Sequence, residues 1–132
     1  MEDRWQELCE VKATEPNRIE ALAHVPADSL WFCGHFPGEP ILPGIALINI
    51  AWQAIIRDAE KKGEEIRLNA LRRVRFTQPV RPGENLTFLI TAEAARDETL
   101  YSFKVIVKKN TVCSGLIVAR KVKKVKKEDG DA

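Results

Sequence analysis

Period-two alternation of apolar and polar positions runs through most of the chain, and it is interrupted by one block that neither alternates nor carries charge. From Gln6, the residues Leu8, Cys9, Val11 and Ala13 lead into Thr14-Glu15-Pro16-Asn17; Ile19, Ala21, Ala23 and Val25 then alternate with polar or small residues, which predicts a β-hairpin. The interrupting block, residues 45–56 (IALINIAWQAII), is apolar on every side except at Asn49 and Gln53, with Arg57 one further step of four. A helix apolar all round is expected to be buried all round. Residues four apart share a face, so Asn49, Gln53 and Arg57 form one polar stripe on it. Pro43-Gly44 marks its start, because a proline at the first turn gives up only an amide that has no intrahelical partner, and Gly63 marks its end.

Four more strands are predicted beyond Ile66. Residues 67–78 alternate up to Val74 and Phe76, and residues 79–84 turn. Leu86, Phe88, Ile90 and Ala92 share one face of the next strand; Tyr101, Phe103, Val105 and Val107 share one face of the third; Val112, Ser114, Leu116 and Val118 share one face of the last. Tight turns at Arg96-Asp97-Glu98 and Lys109-Asn110 separate them. The pattern predicts an α+β domain, an antiparallel meander around one buried helix.

The candidate chemistry lies where the hairpin gives way to the helix. Residues 34–44, GHFPGEPILPG, hold Pro37, Pro40 and Pro43 among Gly34, Gly38 and Gly44, and the combination predicts a stiff, closely turned segment carrying one imidazole, His35. Trp31 and Phe32 are expected to pack under it, with Cys33 a small buried filler. At the helix start the amides of Gly44 and Ile45 point outward at the positive end of the dipole, a ready site for an oxyanion. An unpaired buried amide side chain costs roughly 1–3 kcal/mol, so the Asn49 stripe faces either a partner group or a site. His24, with no second histidine or acid cluster beside it, reads as a surface or edge residue.

These residues resemble the 3-hydroxyacyl-(acyl-carrier-protein) dehydratases of bacterial fatty-acid synthesis, which have the hot-dog fold. That family's GHFPGxPxxPG signature, entering a long central helix, is matched by residues 34–44 at every fixed position. Residues 76–83, FTQPVRPG, look like its FRxPVxPGD segment, with Glu84 in place of the final acid. The likeness spans residues from about 6 to 120. It implies removal of water from a 3-hydroxyacyl thioester to give a 2-enoyl thioester. His35 would take the C2 proton, the Gly44 amide would stabilise the thioester oxygen, and Phe36, Pro43, Ile45 and Gln53 would line the acyl group. It also implies an obligate homodimer, or a higher homo-oligomer, in which each site takes its loop histidine from one subunit and its helix acid from the other.

One position departs from the pattern. The family's helix carboxylate stands five residues after the glycine that closes the loop, and here that residue is Asn49; no acid occurs between Ile41 and Arg57. An amide can hold a hydroxyl but has no proton to give, and losing a positioned general acid costs roughly 10²–10⁴-fold. His35 serving both transfers, a water relay, another subunit's acid or Glu39 could make good the loss. Three readings stay open: a dehydratase (a hydro-lyase) in which Asn49 positions substrate, a non-catalytic or partner-dependent acyl-carrier-binding subunit, and a thioesterase on the same fold.

At 132 residues the chain is read as a single domain, 1–132, with residues 1–5 and about 121–132 as loose tails. Cys9, Cys33 and Cys113 are odd in number and lack metal-ligand spacing, which points to reduced thiols in the cytoplasm, with no metal or other cofactor. Neither a signal pattern nor an uninterrupted membrane-length apolar run is present in the sequence. Although the net charge is only +2, residues 120–127 (RKVKKVKK) hold six cations. They read as a solvated tail or, with Arg72, Arg73, Arg75 and Arg81, as a basic rim for an acidic acyl carrier protein; coenzyme A is the alternative carrier. Nucleic acid is disfavoured, since no aromatics interleave with these cations.

Overall fold

The computed structural model describes residues 8–26, 42–81 and 83–122. His35, Phe36, Glu39, Trp31, Phe32 and Cys33 lie outside the described residues. Six strands and one helix follow in the order β1 (Leu8–Glu15), β2 (Arg18–His24), α1 (Gly44–Lys61), β3 (Ile66–Phe76), β4 (Asn85–Ala95), β5 (Glu98–Val107) and β6 (Asn110–Lys121). They form one antiparallel sheet ordered β1-β2-β4-β5-β6-β3. The expected meander is therefore corrected. β1-β2 is a hairpin and β4-β5-β6 a meander, but the chain containing α1 crosses the sheet, so that β3 pairs with β6 on the far edge and β4 takes the place beside β2.

The core is a stack of cross-strand apolar pairs. Ile19, Ala21 and Ala23 of β2 face Ile90, Phe88 and Leu86 of β4, and Ile90 and Phe88 face Phe103 and Val105 of β5; all are buried. The face expected for β6 holds only at Val112 and Val118, which are buried. Val105 pairs with Cys113 but Ile106 with Thr111, which leaves Val112 as an extra residue. One inserted residue shifts the alternation by one, so Cys113, Ile117 and Ala119 enter the core instead of Ser114 and Leu116. Gly115 then lies opposite Phe103, and a Cβ there would meet that buried ring at 2.9 Å. Burial pushes the Cys113 thiol up to about 11.

Helix α1 lays Ala46, Leu47, Ile50, Ala51, Ala54 and Ile55 against this sheet, its alanines permitting close approach. Burial all round is corrected as well: Ile45 is 58% exposed, Gln53 is exposed, and Asn49, Trp52, Ile56 and Arg57 are half-buried. One chain's sheet covers only one side of the helix, and the polar stripe lies on the other. The helix ends as expected. Gly63 takes φ 73°, and the Lys62 and Gly63 amides donate to the Ala59 and Glu60 carbonyls at 3.0 Å. Asp58, the one buried charged side chain among the described residues, pairs with Lys62 at 3.0 Å.

Two register shifts interrupt β3, between Leu68 and Ala70 and between Arg72 and Arg75. Register shifts place Leu68 opposite Ala119 and Leu71 opposite Ile117, so both leucines sit on the core side, yet at the open edge they remain 44% and 39% exposed. The start assigned to the loose C-terminal tail moves outward: Lys121 pairs with Ile66, and the Val122 amide donates to Glu65 at 2.8 Å. His24 is exposed, its Nδ1 2.9 Å from Asn85 Oδ1, as a surface histidine should be.

Candidate active site

The segment that resembles FRxPVxPG acts as a buckle around the start of α1. The Leu42 amide donates to the Val80 carbonyl at 2.7 Å, tying the end of the loop to the chain beyond β3. Thr77 is held to β6 twice, by its amide to Val112 O at 2.9 Å and by its hydroxyl to Thr111 O at 2.7 Å. The Gly83 amide donates to Val25 O at 3.0 Å, and the Arg81 amide to the Glu84 carboxylate at 2.7 Å, so the Glu84 side chain closes the turn. Together these bonds tie the segment to β6, to the end of β2 and to the start of α1.

Pro43 caps the helix with φ −61° and ψ 145°, lends no side-chain bond, and accepts from the Ala46 amide at 3.0 Å. The first turn contains no acid. The amides of Gly44 and Ile45 precede any intrahelical acceptor, so the dipole end is neither bonded by the side chain of its cap residue nor neutralised within its own turn. Directly over Gly44 lies Phe76: a Cβ at position 44 would stand 2.6 Å from two atoms of its ring. Only glycine admits the ring there.

The ring forms one wall of an open cleft of about 380 Å³, with Leu42, Leu47, Gln78 and Val80 among the other walls and Gly44 at its floor. Among the described residues no ionisable side chain lines it, so none of them sets a fixed charge against the amide dipole there. Of the residues singled out from the sequence, Gly44 is in this cleft, Pro43 caps the helix beside it, and Ile45 is exposed and not among its walls. Asn49 and Gln53 are not among its walls. Asn49 is five residues past Gly44, about 140° around the helix and about 7.5 Å along it. A single chain does not bring Asn49 to the Gly44 amide. His35 and Phe36 fall outside the described residues. Phe76 was not singled out from the sequence; the one available signal was its place at the head of FTQPVRPG. Among the described residues no group of three or more His, Cys, Asp or Glu side chains is placed to hold a metal.

Comparison with known proteins decides the family. Residues 11–116 match the family described as ApeI-like, ApeI dehydratase. The chain belongs to the ApeI-like dehydratase family. It is 35% identical over 99 residues to the 3-hydroxyacyl-[acyl-carrier-protein] dehydratase FabZ of Syntrophobacter fumaroxidans, a match covering 62% of this chain and 67% of that protein. Its structure is similar to the dehydratase heterocomplex ApeI:P from Xenorhabdus doucetiae, with a TM-score of 0.64 at 22% identity, covering 86% of this chain and 96% of that one. A hypothetical thioesterase with coenzyme A from Streptococcus pneumoniae is similar with a TM-score of 0.69 at 12% identity, covering 86% and 87%. The structural likenesses establish the hot-dog fold. Family membership sets this hot-dog protein among the dehydratases, and a thioesterase reading is left with likeness of fold alone.

Proposed function

We propose that this chain acts on a 3-hydroxyacyl thioester, eliminating water to give the 2-enoyl thioester, at a site built on the start of α1. The observation that carries the reading is the Gly44 amide, which no cap side chain occupies, at the floor of a cleft whose described lining holds no charge, in a chain of a dehydratase family. The thioester oxygen accepts from that amide, which stabilises the enolate-like charge as the C2–H bond breaks. His35 takes the C2 proton, the C2–C3 double bond forms, and the C3–O bond breaks. The departing oxygen needs a proton to leave as water, and Asn49 has none, so His35 returns the one it took. Asn49 holds the hydroxyl, and Phe36, Pro43, Ile45 and Gln53 contact the substrate. The chemistry needs proton transfers only.

The site is completed by a second copy. Leu68 and Leu71 form an exposed apolar row on the open β3 edge, beside unpaired strand backbone, and Ile45 is exposed at the helix start. Pairing two β3 edges about a two-fold axis covers the row and brings the Asn49 face of one helix toward the neighbour's loop. The acyl group arrives on an acyl carrier protein, as the name of the Syntrophobacter relative implies. The whole of 1–132 serves as one domain in the cytoplasm; among the described residues no helix is long and apolar enough to cross a membrane.

A second reading is favoured by one observation, the missing acid at Asn49: the active form pairs this chain with a different subunit that brings a carboxylate. The Xenorhabdus neighbour is described as a heterocomplex. Incubating the purified chain with a 3-hydroxyacyl thioester, and separately with the 2-enoyl thioester, separates the possibilities. Interconversion of the two, abolished in His35→Ala and raised in Asn49→Glu, supports the first reading. Binding without turnover supports the second, and free thiol release the thioesterase. Unchanged rates in both variants would show the site to be elsewhere.

A further inference from the structure

The bulge in β6 and the cleft at the start of α1 meet at one carbonyl. Val112, the extra residue that the β5 ladder leaves unpaired, accepts the Thr77 amide at 2.9 Å and the Gln78 amide at 3.5 Å. Bulges recur beside sites because they re-aim or end the pairing around them. Thr77 is anchored a second time through its hydroxyl on Thr111 O, and beyond Gln78 the Val80 carbonyl takes the Leu42 amide. Pro79, between these anchors, locks its own φ and keeps the residue before it out of the helical region. Gln78 therefore stands on backbone held from both sides. Its side chain lines the cleft, is exposed, and has no hydrogen-bond partner among the described residues.

We infer that the Gln78 side-chain amide is a second donor to the thioester oxygen, beside the Gly44 amide; the inference deepens the function proposed above and rests on it. An oxygen gathering negative charge presents more than one lone pair. Of the two outward amides at the helix start, Gly44 is among the walls of the cleft and Ile45 is not. Among the side chains of the described lining only Thr77 and Gln78 carry a polar group. The Thr77 hydroxyl gives its one proton to Thr111 O at 2.7 Å. That leaves the Gln78 carboxamide, with two N–H bonds and no charge. A neutral donor gains more from the enolate-like oxygen than from the ground-state carbonyl, and that difference is what speeds the step. The pinned backbone adds to it, since a donor placed before the reaction needs little rearrangement during it. The pattern FRxPVxPG leaves position 78 open, so the carboxamide is a feature of this chain rather than of the pattern it matches.

The test is Gln78→Leu, with Gln78→Glu beside it. In the interconversion of a 3-hydroxyacyl thioester and its 2-enoyl partner, Gln78→Leu should lose about 10²-fold in kcat with KM nearly unchanged. Its unfolding midpoint should stay at the parent's, because the side chain is exposed. Gln78→Glu keeps the shape and replaces the N–H donor by a carboxylate. Its rate relative to the parent should be low at pH 8 and climb toward pH 5, as a protonated carboxyl again offers a hydrogen. A parental kcat in both variants, or a loss confined to KM, overturns the inference. If the parent turns over neither thioester, the proposed function fails, but the infrared stretch of an isotope-labelled carbonyl in a bound saturated acyl-pantetheine thioester still decides the role of Gln78. That stretch should fall in frequency on the parent and fall less on Gln78→Leu. The same shift on both, or no shift on the parent, overturns the inference.

Discussion

Two glycines in this protein face the same obstacle. The Cβ that Gly44 lacks would stand 2.6 Å from the ring of Phe76, and the one that Gly115 lacks would stand 2.9 Å from the ring of Phe103. The surroundings differ: Phe103 is 1% exposed and locked between β4 and β6, whereas Phe76 is 53% exposed beside an open cleft. The same local device therefore serves packing at one place and shapes a site at the other. What separates them is whether the ring has anywhere to go.

The difference is broken most directly at the rings. Phe103→Ala empties a buried volume and should cost about 3–5 kcal/mol in urea unfolding; Phe76→Ala should cost under about 1 kcal/mol, and a larger loss would mean that Phe76 is a core residue after all. Next comes Gly115→Ala, for which Phe103 and the Val74 methyl at 3.0 Å leave no room: a cost of about 1–3 kcal/mol is expected, with activity per folded molecule retained.

Cys113 is paired with Phe76 on one side and Val105 on the other, so it sits between the two regions. Its thiol, raised by burial from 9.0 to about 11, stays neutral when folded while the unfolded chain ionises. The stability tied to that proton is whole below pH 9 and is lost between pH 9 and 11, up to about 3 kcal/mol. Tyr101, raised by burial and then by the nearby Glu64 and Asp58, adds a loss of the same sign above its ordinary value of 10.0. Unfolding midpoints followed from pH 8 to 11 should fall, and fall less in Cys113→Val. The smallest effect on stability belongs to Gly44→Ala, under about 1 kcal/mol, because the exposed ring can swing aside. Its dehydration rate should nevertheless drop about tenfold or more as the ring moves over the amide. A wild-type rate would remove Gly44 from the site.

Much of this was legible in residues alone. The Pro43-Gly44 start and the Gly63 stop follow from backbone chemistry that each residue carries with it, and Leu86, Phe88 and Ile90 or Tyr101, Phe103 and Val105 take their faces from simple alternation. The β6 face was legible only at Val112 and Val118, because the inserted residue, Val112, shifts the pattern that put Ser114 and Leu116 in the core, and nothing in its side chain announces it. Likewise Leu68 and Leu71, of opposite parity in sequence, share a face only through a bulge.

By itself, then, the sequence determined the elements, the family signature and the absence of an acid at position 49, since these depend on local preferences and residue identity. Only the tertiary structure decided that β3 crosses to the far edge, that the polar stripe of α1 lies uncovered, that the Phe76 ring packs against Gly44, and that Arg67 meets Arg120. Those are contacts between residues distant in the chain, set by strand order and register, and no local pattern encodes which partner a strand edge or a glycine will meet.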